Sequence, residues 1–185
     1  MSSEMSMHIK DRKISILESE MWLGAFPLED FFWIEKDEIY RKHLRNRGIK
    51  LVECIVIRDT QLFFIEAKSS APDPNSELNP ERVKAFLSDI HQKFKESLDL
   101  YLNQALINRV PYGFREIDYK GCTFTFILII RREEDGWIPQ LQEKLLSELR
   151  HDSLWKIWNC RLFVLTEKRA RKFHLIDPEM SEKEL

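Results

Sequence analysis

Glycine and proline are scarce, five and seven in 185 residues, which excludes collagen-like and low-complexity chains. Cysteine is scarcer: Cys54, Cys122 and Cys160 are odd in number, far apart, and set in or beside apolar runs. That pattern argues against a disulfide framework or a paired-cysteine metal site and points to buried thiols. His8, His43, His91, His151 and His174 share no ligand spacing, which argues against a histidine zinc site. An excess of one charge is also missing. Lys and Arg total 29 and Asp and Glu 31, a formal net charge of −2, so any nucleic-acid contact must rest on local patches. The longest apolar run, Phe124 to Ile130, is seven residues interrupted by Thr125, far short of the roughly 20 needed to span a bilayer. Met1 to Lys13 lacks the apolar centre of a signal peptide. The expectation is a cytoplasmic chain without a membrane partner, whose chemistry is carried by carboxylates.

What is present suits one domain over residues 1–185, since 43% of the chain is hydrophobic. Ile14 to Leu17 reads as a short strand inside an otherwise irregular extension, 1–30. Asp37 reads as the N-cap of a helix over Glu38 to Arg47, closed by Gly48. Leu51 to Ile57 and Leu62 to Lys68 read as strands joined by a short polar turn with Asp59 at its tip. Residues 69–79 form a loop, and Asn79-Pro80-Glu81 opens a long helix with apolar positions from Val83 to Leu106. Cys122 to Ile130 is a strand covered on both faces. Trp137 to Arg150 is a helix, Cys160 to Leu165 another buried strand, and Glu167 to Lys172 a basic tail to it. Residues 31–130 form the core, 131–176 add a helix and a strand, and 177–185 are an acidic, frayed end. The fold class is α/β, a mixed central sheet flanked by helices.

The hairpin carries the chemical signal. With a two- or four-residue loop centred between Asp59 and Thr60, Glu53 lies opposite Glu66 and Leu51 opposite Lys68. Glu53, Glu66 and Lys68 then share one face, while Val52, Cys54, Val56, Phe63, Ile65 and Ala67 line the other. Facing carboxylates sit about 5 Å apart at Cβ and repel. Lys68 supplies one compensating charge, and Mg²⁺ or Mn²⁺, which prefer oxygen ligands, would supply more. Plain ion pairing is the competing explanation.

Glu53-x12-Glu66-Ala67-Lys68, on two strands followed by a loop and a long helix, resembles the PD-(D/E)XK nuclease superfamily. The resemblance implies a restriction-endonuclease-like αβββαβ core and a metal-dependent nuclease acting on DNA. In that likeness Glu53, Glu66 and the Ala67 carbonyl hold Mg²⁺ or Mn²⁺, and Lys68 assists the attacking water. Many members place a third acid before the hairpin, for which Glu35 and Glu38 are the candidates. The chain departs from the pattern in having Glu53, preceded by Val52, where Asp after Pro is more usual. Ser69 could bond a phosphate or cap its loop.

Two segments could track a nucleic-acid backbone, or be solvated surface. Residues 38–50, with Arg41 and Arg45, and 161–174, with Lys168, Arg169 and Arg171, each carry five Lys or Arg against one acid. Trp155 and Trp158 are read as core, and His91 and Gln92 as a solvated helix face. A homodimer or larger complex is a further expectation. The alternative to an active enzyme is a degenerate nuclease-like module that binds nucleic acid or a protein. A purely structural subunit is the third reading, favoured if Glu66 is ion-paired and sealed from solvent.

Overall fold

The computed structural model describes residues 7–76, 78–131 and 136–180. Two sheets are present among them. The smaller is an antiparallel meander of β1 (Met7–Lys10), β2 (Lys13–Glu18) and β3 (Met21–Pro27). The larger has five strands in chain order: β4 (Phe31–Phe32), β5 (Cys54–Arg58), β6 (Gln61–Lys68), β7 (Thr123–Ile130) and β8 (Cys160–Thr166). β4, β5 and β6 pair antiparallel, whereas β6, β7 and β8 run parallel. Parallel neighbours need crossovers, and helices provide them. α1 (Pro80–Leu106) lies between β6 and β7; α2 (Ile138–Arg150) and α3 (Ser153–Ile157) lie between β7 and β8. α4 (Glu167–Lys172) follows β8. The mixed α/β class is as expected.

The large sheet is buried on both faces, which is why β7 is apolar throughout and wholly buried. On one face Ile55, Leu62, Phe64, Phe124 and Phe126 meet Leu87, Ile90, Phe94, Leu98 and Tyr101 of α1. Phe94 and Phe126 pack with ring centroids 4.9 Å apart, and burying such a side chain contributes about 1.5–3 kcal/mol. Trp155 and Trp158 pack against this core, on Phe126 and Phe124. On the other face Cys54, Val56, Ile65, Ile127 and Ile129 meet Ile14, Ile16, Leu23 and Phe26 of the small sheet. The three thiols form no disulfide.

Several expectations need correction. Residues 21–30 are not irregular: Met21–Pro27 is a largely buried strand, so the N-terminal segment is a layer of the fold. Its apolar residues do not alternate cleanly because the β2–β3 register shifts between Ile14 and Ile16. Val52 packs on the α1 side, not the opposite face, and its N–H donates to Ser97 Oγ on α1 at 2.8 Å. Glu167–Lys172 is a helix, capped where Thr166 Oγ1 accepts from the Arg169 N–H. Asn79 precedes α1 without a side-chain cap bond. Asp177 is buried rather than frayed: its N–H donates to the Trp22 carbonyl and its carboxylate accepts from Ser15 Oγ. Residues 181–185 of the expected frayed end lie outside the described residues.

The segment before β5 behaves largely as read. Asp37 Oδ1 accepts from the N–H groups of Ile39 and Tyr40. A wide π turn over Tyr40–Leu44 and a tight turn over Arg45–Arg47 follow. Gly48 ends them at φ +79°, a left-handed conformation that glycine adopts without a Cβ penalty.

Candidate active site

The β5–β6 ladder pairs Cys54 with Ile65, Ile55 with Phe64 and Arg58 with Gln61, leaving Asp59 and Thr60 as a two-residue loop. This is the expected register. One residue beyond the ladder it slips: the Glu53 N–H donates to the Ile65 carbonyl at 3.0 Å, although Ile65 is already paired with Cys54. Alternation therefore fails at Glu53, which explains why Val52 can turn toward α1. Glu66 and Lys68, two apart on β6, share a face, and Lys68 Nζ lies 3.0 Å from Glu66 Oε1.

α1 closes this face with a second ammonium. Lys93 Nζ lies 2.7 Å from Glu66 Oε1 and 3.7 Å from Glu53 Oε1, so both hairpin acids converge on one cation. Asp89, one helical turn earlier on the same side of α1, is 3.8 Å from Lys68 Nζ and 2.6 Å from Lys50 Nζ. The Lys93–Glu66 contact was not legible in the helix pattern. Its signal was a lysine at the one-turn spacing from Asp89 beside buried Phe94, which also fits a solvated helix edge.

Two further carboxylates reach the cluster. Glu35 sits on a single tight turn, Ile34–Lys36, whose Ile34 is fully buried as an anchor. Glu18 ends β2, where Ser19 and Glu20 turn the chain with φ of +50° and +62°, as a two-residue hairpin of the right-handed twist requires. Carboxylate oxygens of Glu18, Glu35 and Glu53 all lie within 4.8 Å of one another. Glu18 was not foreseen, because nothing in a strand-end glutamate of a separate sheet marks it.

The remaining candidates fall elsewhere. Glu38 is exposed and pairs with Lys42, so it does not join the acids. The Ala67 carbonyl accepts from Ser19 Oγ at 3.0 Å. Ser69 is exposed just past Lys68, as are Arg41 and Arg45 on the turns before β5. Lys168, Arg169 and Arg171 are exposed on α4, and Arg171 pairs with Glu167. Because β6, β7 and β8 are parallel, with Lys68 level with Ile130 and Ile130 with Thr166, α4 begins at the same sheet edge as the site. His91 is half-buried, 3.2 Å from Asp152, instead of on a purely solvated face.

The electrostatics are unusual. Glu66 has no exposed surface and Glu53 only 7%. Four carboxylates, Glu18, Glu35, Glu53 and Glu66, lie around two ammonium groups, Lys68 and Lys93, and the charges of Lys36 and Arg45 also act on Glu35. Burial, then the neighbouring Glu66, pushes the Glu53 carboxyl well above its ordinary range. Burial and Glu35 raise Glu18 to about 7. Glu35 is raised mainly by burial, with Lys93 opposing. Burial acts against a charged Lys93, but Glu66 and Glu53 outweigh it and hold its pKa above normal. Glu66 Oε2 and Glu18 Oε1 are buried without a hydrogen-bond donor. Orphaned carboxylate oxygens gathered from several elements are what a hard divalent cation satisfies, so this donor set fits Mg²⁺ or Mn²⁺.

No helix among the described residues is long and apolar enough to cross a membrane. No family model, curated protein or solved structure matches this chain.

Proposed function

We propose that the chain is a metal-dependent nuclease that hydrolyses phosphodiester bonds in DNA, built on a restriction-endonuclease-like core and acting in the cytoplasm. The observation that carries the reading is the convergence of Glu53, Glu66 and Lys68, with Glu35 beside them, around carboxylate oxygens that receive no hydrogen bond. Burial holds the carboxyls of Glu18, Glu35 and Glu53 above their ordinary range, so a divalent cation binding there would displace protons. Glu53 and Glu66 would hold Mg²⁺ or Mn²⁺, with Glu35 as third acid and the Ala67 carbonyl keeping one lone pair beside its bond from Ser19. When bound, such an ion polarises the phosphodiester and makes water a stronger nucleophile.

The chain's own groups do the rest. Lys68, more open to solvent than Glu66 or Lys93, orients the attacking water and stabilises charge developing on the phosphate. Water oxygen bonds to phosphorus as the bond to one ester oxygen breaks, giving a phosphomonoester and an alcohol. Arg41 and Arg45 before β5, and Lys168, Arg169 and Arg171 on α4, supply non-specific contacts to the backbone. Ser69 is placed to bond a phosphate oxygen.

One observation favours a non-cleaving second reading: it meets the condition stated above for a purely structural subunit, and suits equally a nuclease-like module that binds nucleic acid or a protein, or serves a larger complex. Glu66 is sealed and both lysines reach its Oε1. Cleavage of linear and supercoiled DNA in Mg²⁺ decides between the two. The enzyme reading expects cleavage that E66Q and K68A abolish while circular dichroism stays native. Cleavage that survives both substitutions, or none from wild type that binds Mn²⁺, refutes it.

A further inference from the structure

We propose that Glu18 is a ligand of the same metal centre, so that the N-terminal three-stranded sheet supplies part of the active site; the inference rests on the metal-site reading above.

Three observations meet here. Glu18 brings its carboxylate within 4.8 Å of those of Glu35 and Glu53. Its Oε1 is buried and receives no hydrogen bond. Independently of that trio, Glu66 is completely buried on the same patch with Oε2 also lacking a donor. Each of these two acids, from different sheets, therefore keeps a buried oxygen that a bound cation would satisfy, although Lys68 and Lys93 already pair with Glu66 through Oε1.

The turn that carries Glu18 is held in place. Ser19 Oγ donates to the Ala67 carbonyl at 3.0 Å, between Glu66 and Lys68 in sequence. Glu20 pairs with Arg131, whose N–H donates to the Lys68 carbonyl at 3.0 Å. Arg131 is also 3.8 Å from Glu167 at the start of α4. Ile14 and Ile16 bury β2 against the large sheet, so the strand delivers its terminal acid to the site as a rigid element.

The rival account is a shared proton, since Glu18 lies within hydrogen-bonding reach of Glu53. E18Q separates the two, because its amide keeps a donor for Glu53 but removes the charge. MnCl₂ titrated calorimetrically into wild type, E18Q and E66Q gives the answer. If Glu18 is a ligand, E18Q weakens Mn²⁺ binding roughly tenfold or more, with metal-free Tm unchanged or higher. If E18Q binds Mn²⁺ as wild type does while E66Q does not, Glu18 is no ligand and the metal-site reading stands alone. If wild type takes up no Mn²⁺ at millimolar concentration, both fall. Wild-type crystals soaked in Mn²⁺ give a check free of folding defects. An ion with a Glu18 oxygen in its shell supports the proposal, and one bound by Glu53 and Glu66 with Glu18 outside overturns it.

Discussion

The ammonium of Lys93 lies 2.7 Å from Oε1 of Glu66, although one residue is on α1 and the other on β6. Lys68 Nζ approaches the same oxygen at 3.0 Å. Both cations therefore gather on one side of a carboxylate whose other oxygen receives no hydrogen bond. This asymmetry sets the behaviour of the site.

Removing Lys93 tests it directly. K93M leaves four carboxylates with Lys68 alone, and breaking a largely buried pair costs about 3 kcal/mol. Urea unfolding without metal should register that loss. In Mn²⁺ the loss should shrink, and the variant should bind Mn²⁺ more tightly than wild type, because a competing positive charge is gone. Equal destabilisation with and without Mn²⁺ contradicts the metal-site reading.

The acids impose a pH dependence of definite sign. Glu18 is raised to about 7, by burial first and neighbouring acids second, and Glu53 is raised well above its usual range for the same reasons. A group raised on folding favours the folded state while protonated. This contribution is full below the ordinary glutamate range, near 4.5, and is lost as pH rises through about 7. Metal-free Tm should therefore decline between pH 5 and pH 7.5 on account of these groups, and E18Q should flatten the decline. A wild-type Tm that is level or rises through that window, with E18Q tracking it, is the contrary outcome.

Ser97 is a structural support for Glu53. It is fully buried, and its Oγ accepts the Val52 N–H at 2.8 Å, one residue before the acid. S97A strands a buried N–H, which costs about 1–3 kcal/mol. Because the ladder has already slipped at Glu53, the loss should also weaken Mn²⁺ binding. S97T, which keeps the hydroxyl, should restore the affinity. Mn²⁺ affinity in S97A equal to wild type removes Ser97 from the site's support.

DNA affinity should be salt-dependent and separable from metal binding. Replacing Lys168 and Arg169 by Gln should lower the slope of log affinity against log salt by about 2, with Mn²⁺ affinity unchanged. An unaltered slope means that α4 does not meet the backbone.

Most of the architecture was legible because burial is written in periodicity. The long helix, the strand ending at Ile130 and the hairpin register all follow from apolar spacing, and the two-residue loop at Asp59 and Thr60 fixes which residues face one another. The β3 strand was hidden, since Trp22, Gly24 and Pro27 blur its pattern where β2 shifts register. Asp177 looked like tail because its partners, Ser15 and Trp22, lie at the opposite end of the chain.

By itself the sequence determined a hairpin with Glu66 and Lys68 on one face, since side chains alternate along a strand and a turn of even length preserves the pairing as far as Cys54 and Ile65. The expected pairing of Glu53 with Glu66 and of Leu51 with Lys68 is lost to the slip at Glu53. Tertiary structure alone decided that Lys93, Glu35 and Glu18 join them, and that Glu38 does not. Charges attract or repel through space, so their balance is settled by how α1 and the N-terminal sheet dock on the hairpin. Local spacing carries no record of that docking.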